Sequence, residues 1–176
     1  MTGHIFVDET KHRDYLLVAG VIIPGDLDPI RKAVRGLVLP GQRRLHMNAE
    51  NNSRRKAIAA MIVDNAVQAT IYDAGRRYPT ERDRRAACLQ ALVGDAARRG
   101  DVMLILEQDD TLVSWDNRHL IEYTRAAGCR DTLRYEHRRA ASEQLLAVPD
   151  AIAWCWAKGG DWRRRIAPVV TDVRTV

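Results

Sequence analysis

The sequence predicts a mixed α/β sheet with an antiparallel N-terminal hairpin and flanking helices. Three observations carry that reading. His4 to Val7 and Tyr15 to Ile23 are apolar runs joined by the short polar stretch Thr10-Lys11-His12-Arg13-Asp14, the pattern of a hairpin. Val102 to Leu106 is a second kind of strand, five apolar residues ending on Glu107. Helical and strand-like segments alternate through the rest of the chain, an order that builds parallel strands by crossovers.

Each element has its own signature. Leu16, Leu17, Val18, Ala19, Val21, Ile22 and Ile23 are almost continuously apolar, so the second strand is covered on both faces. Asp28-Pro29 reads as an N-cap with proline at the first helical position, followed by Ile30, Val34, Leu37 and Val38 at helical spacing. Leu39-Pro40-Gly41 stops that helix, and Gln42 to Met47 is basic and ambiguous, with a short strand as one reading. Asn51-Asn52-Ser53 caps a helix carrying Ala57, Ile58, Met61 and Ile62. Val67 to Tyr72 is a strand ending at Asp73. Thr80 and Asp83 have capping-box spacing before Leu89, Leu92, Val93 and Ala96, and Arg98-Arg99-Gly100 closes that helix. A helix follows over 112–127, with Leu112, Trp115, His119, Leu120 and Tyr123 roughly on one side. Leu133 to His137 is a strand, Ala151 to Ala157 a buried helix, and Ala167 to Val170 a strand-like tail.

Length and composition bound the function. The 176 residues suit one compact domain over 1–176, and 46% hydrophobic with 29% charged residues describes a soluble globular chain. The net charge of +5 permits a polyanionic partner without requiring one. Cys88, Cys129 and Cys155 are odd in number and far apart, with no C-x-x-C, so they read as reduced thiols of a cytoplasmic protein. Asp8 and Glu9 come too early for a basic-then-apolar leader. Tyr15 to Pro24, the longest apolar run, falls far short of the roughly 20 residues that span a membrane.

The chemistry lies in the acids at strand ends. Open α/β sheets form sites at the carboxyl ends of parallel strands, and Asp8, Asp73 and Glu107 are expected there. Divalent magnesium or manganese prefers oxygen ligands, and one or two carboxylates plus substrate phosphates suffice for magnesium. Asp73, Asp109 and Asp110 are better explained as acids that open loops. Asp8 and Glu107 abut strongly apolar strands, which favours the functional reading. Asp150 precedes a wholly apolar helical run. The helix dipole accounts for it if exposed, whereas burial demands a metal or a partner to offset desolvation.

Other residues have plain structural explanations beside the functional ones. His46 and His137 lie near element boundaries, where a hydrogen-bonded structural role competes with a ligand or proton-shuttle role. Glu50 and Arg54 have the spacing of an i, i+4 ion pair. Glu136 and Glu143 read as surface acids or caps. Trp115, Trp154, Trp156 and Trp162 suit a core or a base-stacking platform. The clusters Arg43-Arg44, Arg54-Arg55-Lys56, Arg84-Arg85 and Arg163-Arg164-Arg165 suit a solvated face or a phosphate backbone.

Several of these segments resemble one family. Phe6-Val7-Asp8-Glu9-Thr10 resembles the F-[VI]-D-E-S strand of a large bacterial family of unknown function related to RNase H-like nucleases. Leu45-His46-Met47-Asn48-Ala49-Glu50, with Ser53-Arg54-Arg55 after it, looks like that family's L-H-F-x-x-E…R-R motif. The stretch 143–154, through Pro149-Asp150-Ala151, is similar to its late L-Q-L-A-D-hydrophobic helix. The resemblance spans most of the chain through short motifs. It implies an RNase H-like sheet in which Asp8 is the first-strand acid, Glu107 a central-strand acid and Asp150 the late-helix acid. Two positions depart from the pattern: Thr10 stands where serine is frequent, and Arg44 where many relatives have an acid two residues before the histidine.

Two functions from different classes follow as expectations. One is a magnesium- or manganese-dependent nuclease hydrolysing RNA or DNA, with Asp8, Glu107 and Asp150 on the metal. Glu9 or Glu50 would assist, and His46 or His137 would handle a proton. The other is a catalytically inactive RNase H-like module that binds nucleic acid or protein. A homodimer joined by the tryptophan-rich C-terminal region is a further interaction reading.

Overall fold

The computed structural model describes residues 2–22 and 24–176. Strands β1 (Gly3–Thr10) and β2 (Tyr15–Ile22) form the expected antiparallel hairpin, with Asp8 opposite Val18 and Thr10 opposite Leu16. Ile23, expected to end the second strand, lies outside the described residues. β1 runs past Val7 to Thr10, so Asp8 and Glu9 are strand residues and do not open a loop. The reason is the neighbour: β2 continues the ladder to Thr10.

With β3 (Gln68–Gly75), β4 (Val102–Glu107), β5 (Leu133–Arg138) and β6 (Val170–Thr175), the described residues make a six-stranded sheet ordered β5-β4-β1-β2-β3-β6. Among the described strands, β2 runs against all the others. The carboxyl ends of β1 and β4 therefore share one edge of the sheet. The fold class is the predicted one, a mixed α/β sheet with an antiparallel N-terminal hairpin.

Helices cover both faces. α1 (Leu27–Leu37), α2 (Asn52–Asp64), α5 (Ala147–Lys158) and α6 (Gly160–Ile166) pack over Phe6, Val18, Ile71 and Ile105. α3 (Glu81–Ala96) and α4 (Val113–Ala126) pack over Ile5, Val7, Leu17, Leu104 and Leu106. That division is the strand period of two made visible, odd and even residues of β1 feeding different cores. The run in β2 is buried nearly throughout, as its composition demands.

Local differences have local causes. α1 starts at Leu27 with Asp26 as its N-cap, which puts Pro29 third in the helix, where its missing N–H still costs nothing. Residues 42–46 form no strand, and Met47–Ala49 is a single 3₁₀ turn. Asn51 caps α2 by accepting from the Arg54 N–H, and Ile58, Ala59 and Ile62 are its buried residues, with Ala57 exposed. The Thr80–Asp83 capping box on α3 forms as its spacing predicts. The buried residues of α4 are Asp116, Leu120 and Thr124, one step round from the expected aromatic side. α5 begins at Ala147, before Asp150, because a 3₁₀ turn at Gln144–Leu146 leads into it. In the tail, Ala167–Val169 is 3₁₀ and the strand begins only at Val170.

Candidate functional site

The last parallel pair between β1 and β4 is Val7 with Leu106. Asp8 and Glu107 come next on each strand, side by side and on the face that carries Phe6 and Ile105. α5 crosses β1 and β2 on that face and brings Asp150 in its first turn to the same place. The three acids line one cleft of about 460 Å³, with Arg44, His46 and Trp154 among its walls and Lys11 and Lys158 at hand. Chain order scatters these residues; the sheet edge gathers them.

Asp8 is only 9% exposed. Its Oδ1 accepts from the Glu9 backbone N–H at 2.8 Å, and it has no cationic partner among the described residues. Burial, then the negative charges of Glu9, Glu107 and Asp150, hold its carboxyl well above the usual range. The other two acids are answered. Glu107 Oε1 meets Arg44 Nη1 at 2.7 Å. Asp150 Oδ2 accepts from the Met47 N–H at 2.9 Å, and His46 Nδ1 stands 3.2 Å from Asp150 Oδ1, off the line of a hydrogen bond. Asp150 raises the His46 pKa above its ordinary value, against the opposing pull of burial. Burial of α5 thus does give Asp150 a partner, and that partner is a histidine and a backbone amide.

Both answering side chains, Arg44 and His46, ride on one loop, residues 38–46. Leu45 is buried and pins its end. Glu50 pins its middle: Gln42 Nε2 and Arg54 Nε both donate to the Glu50 carboxylate, Arg54 Nη2 donates to the Leu37 carbonyl at 2.6 Å, and the Leu39 N–H donates to Gln42 Oε1. Burial works to raise the Glu50 pKa, but the bonds from Arg54 and Gln42 outweigh it and hold the carboxyl low. Glu50, a sequence candidate for catalysis, is therefore not brought to the cleft. It anchors the loop that carries Arg44 and His46.

Glu9 contributes to the cleft lining, yet its Oε2 accepts from Arg85 Nη1 at 3.0 Å on the other side of the sheet. Arg85 also donates to both oxygens of Asp116 at 2.7 Å, and His137 Nε2 lies 2.9 Å from Asp116 Oδ2. Burial favours the neutral Asp116, but Arg85 and His137 hold its carboxyl low. His137 is thus buried beneath the opposite face and apart from the three acids. Asp109 caps Thr111 and Asp110 pairs with Arg139, so the loop reading of these two acids stands, whereas Asp73 lies inside β3, which runs on to Gly75, and faces Arg77. Glu143 is a cap, as expected, but a buried one held by Arg31 and Arg138.

Trp154, Trp156 and Trp162 are half-buried, with guanidiniums over their rings. Arg55, 4.5 Å over Trp154, spends its donors on the Met47 and Asn48 carbonyls and on Asn52. Arg163 bonds the Trp156 carbonyl. These arginines brace α2 and α5. Arg85, expected on a solvated face, is buried. A signal for Arg85 and Asp116 was present: Arg85, Cys88, Leu89 and Leu92 share one helical stripe, as do Asp116, Leu120 and Thr124.

Among the described residues, no three His, Cys, Asp or Glu side chains stand close enough together to hold a metal ion. Glu107 and Asp150 are turned to Arg44 and to His46. The cysteines are buried free thiols, and no described helix is long and apolar enough to cross a membrane.

No family model matches the chain, and no curated protein matches it. Among solved structures, it is similar to the RNase HII of the PCNA:RNase HII complex from Archaeoglobus fulgidus, at 15% identity and a TM-score of 0.54 over 88% of this chain and 70% of that one. At that identity the likeness is one of fold. The chain has an RNase H-like fold.

Proposed function

We propose that the chain, acting as one RNase H-like domain over residues 1–176, is a magnesium- or manganese-dependent nuclease that hydrolyses phosphodiester bonds of RNA or DNA. One observation carries the reading: carboxylates from β1, β4 and α5 meet in one cleft, and Asp8 among them is nine-tenths buried without a counter-charge. Ionised, a carboxylate in that condition calls for a cation. Asp8, Glu107 and Asp150 are oxygen donors of the kind magnesium or manganese takes, and these are the residues that would hold it once they draw closer together than they stand here. A divalent ion held there would supply an activated water and offset charge on phosphate oxygens. Lys158 at the cleft, with Lys11 exchanging its exposed pair with Glu81, would counter the phosphate charge of a nucleic-acid strand. His46, whose pKa Asp150 raises, lines the cleft where it can pass a proton to a leaving oxygen. The RNase HII likeness supports the reading through fold alone.

A second reading is a catalytically inactive module that binds nucleic acid or protein. The Arg44–Glu107 pair favours it, since an arginine already neutralises one of the three acids. Cleavage of mixed nucleic acids with added manganese separates the two. The nuclease reading expects cleavage by the wild type and none by Asp8→Asn. Identical background activity in both proteins removes it, and metal-independent, salt-sensitive oligonucleotide binding then identifies the module.

A further inference from the structure

We propose that Arg44 is a cation gate on the acid cleft: it holds Glu107 until a substrate phosphate draws it away, so that metal and nucleic acid load together. The proposal rests on the metal-dependent reading above.

Arg44 and Glu107 differ from the molecule's structural ion pairs. Arg85 is locked by two-point contact with a fully buried Asp116. Arg44 makes one side-chain hydrogen bond, to Glu107 Oε1 at 2.7 Å, and the two side chains are 33% and 28% exposed. An ion pair that open to water is weak and exchangeable. A guanidinium has five N–H donors, so most of those on Arg44 are uncommitted.

The backbone on either side is fixed. Gln42 is tied to Glu50, and Leu45 is buried. Arg44 therefore moves by its side chain, on a stationary base, over the cleft it lines. A cation at Glu107 and the Arg44 guanidinium compete for the same carboxylate. A phosphate in the cleft offers the guanidinium a two-point partner, for which its planar fork is suited. Moving Arg44 from Glu107 to phosphate frees the carboxylate for metal, and by linkage each ligand then tightens the other.

Manganese titration by calorimetry tests this on wild type, Arg44→Gln and Arg44→Lys, alone and with a short phosphorothioate oligonucleotide. Arg44→Gln should bind manganese roughly two- to fivefold more tightly than wild type. Arg44→Lys, which keeps a cation beside Glu107, should stay near wild type. The oligonucleotide should tighten manganese binding more in wild type than in Arg44→Gln. Equal or weaker manganese binding by Arg44→Gln overturns the gate and leaves the metal centre standing. Manganese affinity in wild type that ignores the oligonucleotide overturns the coupling. Absence of manganese binding in both wild type and Arg44→Gln removes the metal-centre reading together with the gate.

Discussion

Asp8 and Glu9 are adjacent in β1 and serve opposite faces of the sheet. Asp8 shares the α5 face with Asp150, whereas Glu9 reaches Arg85 of α3 at 3.0 Å. One acid is left without a cation and the other is firmly tied. The pair thus divides its labour by strand geometry alone.

The unpaired member should cost the protein stability. Asp8 has a raised folded pKa, so whatever its protonated form contributes is fully present below the unfolded value and is lost as pH rises through the folded one. At neutral pH in a chelator, Asp8→Asn should therefore be more stable than wild type, by roughly 1–3 kcal/mol. In a chain of this size each kcal/mol is worth about 2–4 °C of Tm. The gain should shrink in acid. Thermal unfolding across a pH series checks it, and a neutral-pH loss of stability in Asp8→Asn would refute the account.

Metal should reverse that order. Manganese binding to the folded state alone raises Tm by mass action, about 2.7 kcal/mol at a hundredfold excess over Kd. The shift is expected in wild type and should vanish in Asp8→Asn. Equal shifts in the two proteins would place the ion elsewhere.

Glu50 should behave as an anchor and not as a catalyst. Its folded pKa is lowered, so its contribution is present above the unfolded value and disappears as pH falls through the folded one. Glu50→Gln should lose about 1–3 kcal/mol at neutral pH, and the deficit should close in acid. Under the nuclease reading, cleavage by folded Glu50→Gln at saturating substrate should stay within about tenfold of wild type, a change of roughly 1.4 kcal/mol in barrier. A loss as complete as that of Asp8→Asn would return Glu50 to the chemistry.

The legible parts of this chain were those where one local rule acts alone. The apolar run of β2, the Val102–Leu106 strand and the Thr80–Asp83 capping box all formed where their residues predicted. Asp8, Glu107 and Asp150 were legible as acids beside apolar segments, and they do share a cleft. What the residues did not disclose depends on contacts distant in sequence. α5 starts early because a buried 3₁₀ turn feeds it, and Pro149 in its first turn needs no intrahelical donor. β6 has mostly exposed side chains on an edge strand, so no apolar run marks it. Arg85 and Asp116 look like surface charges singly, and only their mutual contact makes burial tolerable.

That buried contact gives the last prediction. Asp116 is 1% exposed and depends on Arg85 for two hydrogen bonds, with His137 supplying a third contact. Arg85→Met leaves Asp116 and Glu9 without their cation, and breaking one side of a buried pair costs about 3–5 kcal/mol. Replacing both partners removes the uncompensated charge, so Arg85→Met with Asp116→Leu should recover most of that loss. The same substitution frees Glu9, adding an unbalanced acid beside the already raised Asp8. Arg85→Met should therefore lose further stability beyond the Asp116 loss, and adding Glu9→Gln to the Arg85→Met, Asp116→Leu pair should recover that remainder. Urea unfolding of the single, double and triple variants checks both steps. A cost below about 1 kcal/mol for Arg85→Met would mean that water, and not this arginine, balances Asp116.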